Sequence, residues 1–307
     1  MRNAFIKTLT ALAAVDDRIM LLVADLGFSV VEEFASTFPN RFFNVGVAEQ
    51  NMVGIATGLA LSGNVVFTYS IANFPILRCL EQLRNNVCYH NANVISVAVG
   101  GGLCYGALGM SHHATEDIAI MRALPNMNVV APGDPIEVIA ATKYLGSGIG
   151  PAYLRLGKGG EAVIHPASVP WVFGKALEVC PGNDLTIITT GAMLATAVEV
   201  AKNLTTSRGI STRVVSMHTL KPFDEESVLR AARETKRIVT LEEHSVLGGL
   251  GSMVAEVLAE KGTNGVLFRR FGLPSEFTDH VGSQKYLIKI FGLDAETLTA
   301  QIETLLG

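Results

Sequence analysis

Short runs of consecutive apolar residues alternate along this chain with stretches whose apolar positions recur every three or four residues. The helical rhythm comes first, at Phe5, Leu9, Leu12 and Ala13. IMLLVADLG then reads as a buried strand over Ile19–Ala24, ending in a loop that carries Asp25 and Ser29. Phe42–Val47 reads as a second short buried strand. It delivers one carboxylate, Glu49, to the start of a helix whose Met52, Ile55, Ala56 and Leu59 share a face, with Gly63 as its stop. NVVFTYS is a strand whose end carries Tyr69, and Ala72–Asn91 predicts one helix with Leu77, Leu80, Leu83 and Val87 on one side. NVISVAV, NMNVVAP and PAYLRLG follow as strands, the last carrying Arg155, with helices ATEDIAIMRAL and DPIEVIAATKYLG among them.

After a turn-rich stretch the same alternation resumes. Strands DLTIITTG, STRVVSM and RIVTLEE are interleaved with helices over Met193–Leu204, Glu225–Thr235 and Gly249–Lys261. Uninterrupted apolar strands alternating with helices predict parallel sheets covered on both faces. The fold class is therefore α/β, with two open α/β domains. Residues 1–160 form the first, 161–170 a linker and 171–307 the second. In such sheets functional groups gather at the carboxyl ends of the strands, where Asp25, Glu49, Tyr69 and the 100–113 loop would meet on one rim.

Composition narrows the classes. A formal charge of −4 and a pI near 6.0 leave no basic footprint for nucleic acid or an acidic membrane. Only 17% of residues are charged and mean hydropathy is +0.36, so the chain is expected to bury surface against other subunits. Cys79, Cys88, Cys104 and Cys180 lack zinc or CxxC spacing and read as reduced thiols of a cytoplasmic protein. The N-terminal MRNAFIKTLTALAAV reads as an amphipathic helix, because Lys7, Thr8 and Thr10 interrupt any signal-like apolar run.

Taken by itself, Glu49 reads first as a dipole partner for its helix, the usual role of a lone Glu at a helix start. GGGLCYGALGMSHH is a Gly-rich loop with no following Lys-Ser/Thr, so it is no P-loop, and adjacent His112 and His113 make a poor metal pair. His165 reads as a solvated linker residue. His244 reads as a buried structural residue or a subunit contact, and GGLGSMVAE as close packing rather than a nucleotide turn.

VGVAEQNMVGIATGLALSG, SHHATEDIAIMRALPNMNVVAPGDPIE and LEEHSVLGGLGSMVAEVLAE, taken together, resemble the transketolase group of thiamine-diphosphate enzymes, and the likeness runs through the whole chain in order. It implies a pyrimidine-binding domain followed by a transketolase C-terminal domain. It implies that Glu49 contacts N1' of the aminopyrimidine; apolar walls would raise its pKa and let it share that proton. The resemblance also places Asp25 and Tyr69 at the cofactor, Tyr69 by stacking. It gives His112 a catalytic contact with the substrate oxygen, and assigns Arg2, Ser29 and Arg155, with His112, to substrate and its phosphate.

Single-chain members of that group carry a further domain with a Gly-Asp-Gly motif that holds Mg2+ and the diphosphate. Here Gly133-Asp134 is followed by Pro135. The resemblance therefore implies the smaller subunit of a split transketolase, with no metal site of its own. An N-terminal partner with the GDG motif would complete an α2β2 enzyme acting on sugars or sugar phosphates. Two alternatives stand beside it: the β subunit of a 2-oxo-acid dehydrogenase E1, whose usual His-Ser-Gln sequence is replaced by Ser111-His112-His113, and a non-catalytic scaffold. Finally, the family has His where this chain has Gly100 and Asp where it has Leu108. An apolar wall at Leu108 would favour a deoxy, branched or shorter acceptor over the usual pentose phosphates.

Overall fold

The computed structural model describes residues 1–307 and places twelve strands in two sheets. The first sheet holds β1 (Ile19–Val23), β2 (Phe42–Asn44), β3 (Val65–Ile71), β4 (Val94–Val99), β5 (Asn128–Val130) and β6 (Ala152–Leu156). The second holds β7 (Leu177–Cys180), β8 (Leu185–Thr189), β9 (Thr212–Ser216), β11 (Arg237–Ser245) and β12 (Leu267–Leu273). The remaining strand, β10 (Thr219–Lys221), comes from the second half of the chain yet pairs antiparallel with β5, giving a seven-stranded order β10-β5-β6-β4-β3-β1-β2. The five-stranded sheet runs β12-β11-β8-β9-β7 and is parallel except for β7. Both sheets are thus mostly parallel, as the unbroken apolar strands require.

Strand alternation sorts the first core. Ile19, Leu21, Phe67, Val97 and Leu154 pack against the helices Arg2–Ala13 and Pro135–Leu145. Leu22, Val66, Ala98 and Tyr153 point the other way, toward Met52, Val53 and Ala56 of the Glu49–Leu61 helix. Each fully buried Leu or Phe contributes roughly 1.5–3 kcal/mol, so the two faces fix the helices firmly.

Three expectations change. Phe42–Val47 is not a buried strand: β2 is a three-residue edge strand, largely exposed, because only β1 lies beside it. Ala72–Asn91 is not one helix but two short ones, Phe74–Leu77 and Leu80–Gln82, continuing into a π-helical stretch Leu83–Cys88. His165 is not solvated. The carboxylate of Asp134 accepts from the Ile164 and His165 backbone N–H groups at 2.9 and 2.8 Å and pulls that strand-free stretch down. The His165 ring is buried, Nδ1 3.2 Å from Asp134 and Nε2 3.5 Å from Glu137, both off the line of a straight hydrogen bond.

Candidate active site

Glu49 begins its helix behind Ala48, which offers no side-chain cap, and is buried at 5% exposure. The turn before it is set by Asn44, whose Oδ1 accepts from the backbone N–H of both Asp25 and Gly46 at 3.0 Å. The carboxylate does not have the purely apolar walls expected of it: Arg78 Nη1 donates to Glu49 Oε1 at 2.6 Å. That guanidinium lies 4.0 Å over the Phe74 ring, and Phe74 sits 5.1 Å from the His112 ring. His112 Nδ1 is 3.0 Å from Ser111 Oγ, and Asn73 Nδ2 holds the Ser111 carbonyl at 2.8 Å. Glu49, Arg78, Phe74 and His112 therefore form one chain of contacts across the carboxyl ends of β3 and β4.

Sequence reasoning misses Phe74 and Arg78. The available signal is an aromatic and an arginine four residues apart on one helical face, where such pairs touch. Tyr69 is displaced from its expected role. Strand alternation sends it to the face opposite the Glu49 helix, where it is 4% exposed and stacks on Phe5 at 6.0 Å. Burial, with Tyr105 nearby, pushes its hydroxyl above the ordinary tyrosine range against the pull of Arg2. Phe74 is the aromatic that lies under the guanidinium paired with Glu49.

The phosphate clamp is also redrawn. Arg155 is buried: its Nε bonds Asp117 Oδ2 at 2.6 Å, and its Nη2 bonds the carbonyls of Ala114 and Glu243 at 3.1 and 2.9 Å. Tyr153 donates to the same Asp117 oxygen at 2.5 Å. Burial works against the charge on Asp117, but Arg155 overcomes it and holds that carboxyl below the usual range. Its Nε and Nη2 are committed inside the protein, and only Nη1 is without a hydrogen-bond partner. Arg2, at the start of the first helix, is half-buried, and its positive charge works against the upward shift that burial gives the Tyr69 and Tyr105 hydroxyls. Asp25 and Ser29 are exposed loop residues; Asp25 Oδ1 accepts from Asn44 Nδ2 at 3.1 Å, and Ser29 N–H donates to Glu32 at 2.6 Å.

The Gly-rich loop owes its composition to close packing. A Cβ on Gly101 would lie 2.5 Å from the Arg155 guanidinium carbon, and one on Gly102 would lie 2.6 Å from the Glu243 carboxyl. Leu108 is 54% exposed at the tip of this loop. His113 turns inward, and burial lowers its pKa. In the second half, Glu242 accepts from Leu250 and Gly251 N–H at 2.7 and 2.8 Å. The GGLG helix start is thus capped by the chain's own carboxylate, and His244 is buried beneath it.

The set around Glu49 suits an aminopyrimidine. It offers a carboxylate for a ring nitrogen, an aromatic face, and an imidazole one contact away. Arg78, which holds Glu49, is itself 48% exposed. Comparison with known proteins agrees. The transketolase pyrimidine-binding domain matches residues 1–160 and the transketolase C-terminal domain residues 174–298. The chain belongs to the transketolase family.

Within the family it is similar to one subunit of the apulose-4-phosphate transketolase of Phocaeicola vulgatus, 39% identical over 96% of this chain and 94% of the relative. It is 40% identical to the 6-deoxy-6-sulfo-D-fructose transketolase subunit SqwH of a Clostridium species, over 97% of this chain and 92% of that one. A solved structure described as a split gene transketolase, inactive beta4 tetramer, superposes with a TM-score of 0.88 at 38% identity, covering 99% of this chain and 97% of that chain. Transketolase-family domains of this kind imply thiamine diphosphate as cofactor. No helix is long and apolar enough to cross a membrane.

Proposed function

We propose that this chain is the smaller subunit of a two-component transketolase, transferring a two-carbon ketol unit from a ketose, phosphorylated in the natural reaction, to an aldehyde. The observation that carries the reading is Glu49, a buried carboxylate at a helix start, paired with Arg78 and linked through Arg78 and Phe74 to His112. The cofactor would supply the carbanion at its thiazolium carbon. This chain's part is narrower. Glu49 exchanges a proton with the pyrimidine nitrogen, Phe74 borders the ring, and His112 donates to or accepts from the substrate oxygen at the reacting carbon.

The same reading gives Mg2+ and the diphosphate to a partner subunit carrying the GDG motif, in a cytoplasmic α2β2 assembly, since closed symmetric assemblies are the norm. It keeps the domain division at 1–160, 161–170 and 171–307. The similarity to a β4 tetramer described as inactive supports the view that one subunit alone does not turn over. The test is to mix this chain with its GDG-bearing partner and measure both ketol transfer and 2-oxo-acid decarboxylation. Ketol transfer only in the mixture is the expected result. Decarboxylation alone would favour the E1 reading, neither activity the scaffold reading, and turnover by the isolated chain would refute the split site.

A further inference from the structure

Resting on the ketol-transfer reading, we propose that Asn73 and Ser111 are positioning residues that clamp the His112 imidazole and leave its Nε2 to face the reacting oxygen of the substrate. The 100–113 loop is tied at its base, where Gly102 N–H donates to the Ala114 carbonyl at 2.8 Å and Ala114 N–H donates back to the Gly102 carbonyl at 2.9 Å. Its last turn, Met110–His112, is a single 3₁₀ turn. His112 N–H bonds the Gly109 carbonyl at 3.0 Å and His113 N–H the Met110 carbonyl at 3.2 Å. One turn of this kind holds poorly by itself, since its hydrogen bonds are badly aligned. Ser111 is exposed and His112 only half-buried, so close packing does not fix them either.

The restraint comes from the end of β3. Asn73, just past that strand, donates through Nδ2 to the Ser111 carbonyl at 2.8 Å, the one side-chain hydrogen bond that reaches this turn from another element. Phe74, the next residue, meets the imidazole edge-on, with ring centroids 5.1 Å apart and planes at 65°. Tyr105 flanks the same ring from within the loop at 6.4 Å. The two aromatic rings limit how far the imidazole tilts, and Ser111 Oγ, 3.0 Å from Nδ1, fixes how it is turned. With Nδ1 engaged, Nε2 is the nitrogen left for the substrate, and the hydrogen bond at one ring nitrogen sets the proton state of the other. Misplacing such a group by about 1 Å can cost ~10²-fold in rate, so an amide and a hydroxyl that never touch the substrate bear directly on turnover.

The test uses the assembled two-subunit enzyme. Ser111→Ala and Asn73→Ala are each expected to lower kcat about tenfold while KM changes less than about twofold. Ser111→Thr keeps a hydroxyl and should recover most of that loss. In a His112→Ala background, Ser111→Ala and Asn73→Ala should each cost less than about twofold more, because the group they act through is gone. Hydrogen exchange across the 100–113 loop gives a readout independent of turnover. Asn73→Ala should speed exchange of the His112 and His113 amides at least ~tenfold and leave those of Gly102 and Ala114 unchanged. Full losses in the His112→Ala background, losses carried by KM alone, or unaltered His112 and His113 exchange in Asn73→Ala would overturn the proposal. A parent enzyme without ketol transfer would sink the transketolase reading instead, and the exchange rates would then decide the clamp by themselves.

Discussion

Arg155→Met separates a structural from a substrate-holding guanidinium. The side chain is 5% exposed and makes bonds of 2.6 Å to Asp117 and of 3.1 and 2.9 Å to two carbonyls. Methionine roughly preserves volume, so the loss is chiefly electrostatic. Asp117 would keep the Tyr153 hydroxyl at 2.5 Å, with His244 3.9 Å away, but no permanent cation. Removing one partner of a buried pair costs about 3–5 kcal/mol, and the two stranded carbonyls place this case toward the upper end. At a slope of about 3 kcal/mol per molar urea, the unfolding midpoint should fall by roughly 1–2 M. Arg155→Met/Asp117→Asn should recover at least half of that loss, because Asn still accepts from Tyr153 and leaves no uncompensated charge. Urea unfolding followed by circular dichroism measures both variants. An unmoved midpoint, with KM for phosphorylated substrates raised instead, would refute this reasoning and return Arg155 to the substrate.

Glu49→Gln should reduce turnover of the assembled enzyme at least ~10²-fold with the fold intact, since it removes a general acid–base group; near-normal rates would sink the proton role. Burial pushes Glu137 up to about 7, so the folded chain binds a proton there that the unfolded chain releases above about pH 4.5. Its contribution to stability therefore falls as pH rises from about 4.5 to 7 and is flat above. In Glu137→Gln that slope, worth up to about 3 kcal/mol, should disappear from pH-dependent denaturation; an unchanged profile would show that Glu137 ionises without penalty. Gly100→Ala combines a left-handed backbone with a clash against the Tyr105 ring, and should lower the thermal midpoint unless the ring swings out. Amide hydrogen–deuterium exchange across the 100–113 loop would reveal such a swing.

Periodicity alone determined most of the scaffold. Continuous apolar strands over Ile19–Val23, Val94–Val99 and Leu185–Thr189, alternating with helices, admit little besides parallel sheets covered on both sides. The motif around Glu49 was legible for the same reason: a strand-to-helix junction puts its first helical side chain at the sheet's rim whatever the rest of the chain does. What the sequence left undecided are properties of pairs distant along the chain. Arg155 looks like a free cation until Asp117, 38 residues away, is folded against it. His165 looks solvated until Asp134, 31 residues earlier, draws its backbone inward. The side of the sheet that Tyr69 faces depends on strand phase, which a one-residue shift in register would reverse. The glycines of the 100–102 run carry no sign of the rings and carboxylates that crowd them. Local rhythm reports which residues are inside; only the tertiary structure decides which charges meet there, because long-range pairing leaves no period in the sequence.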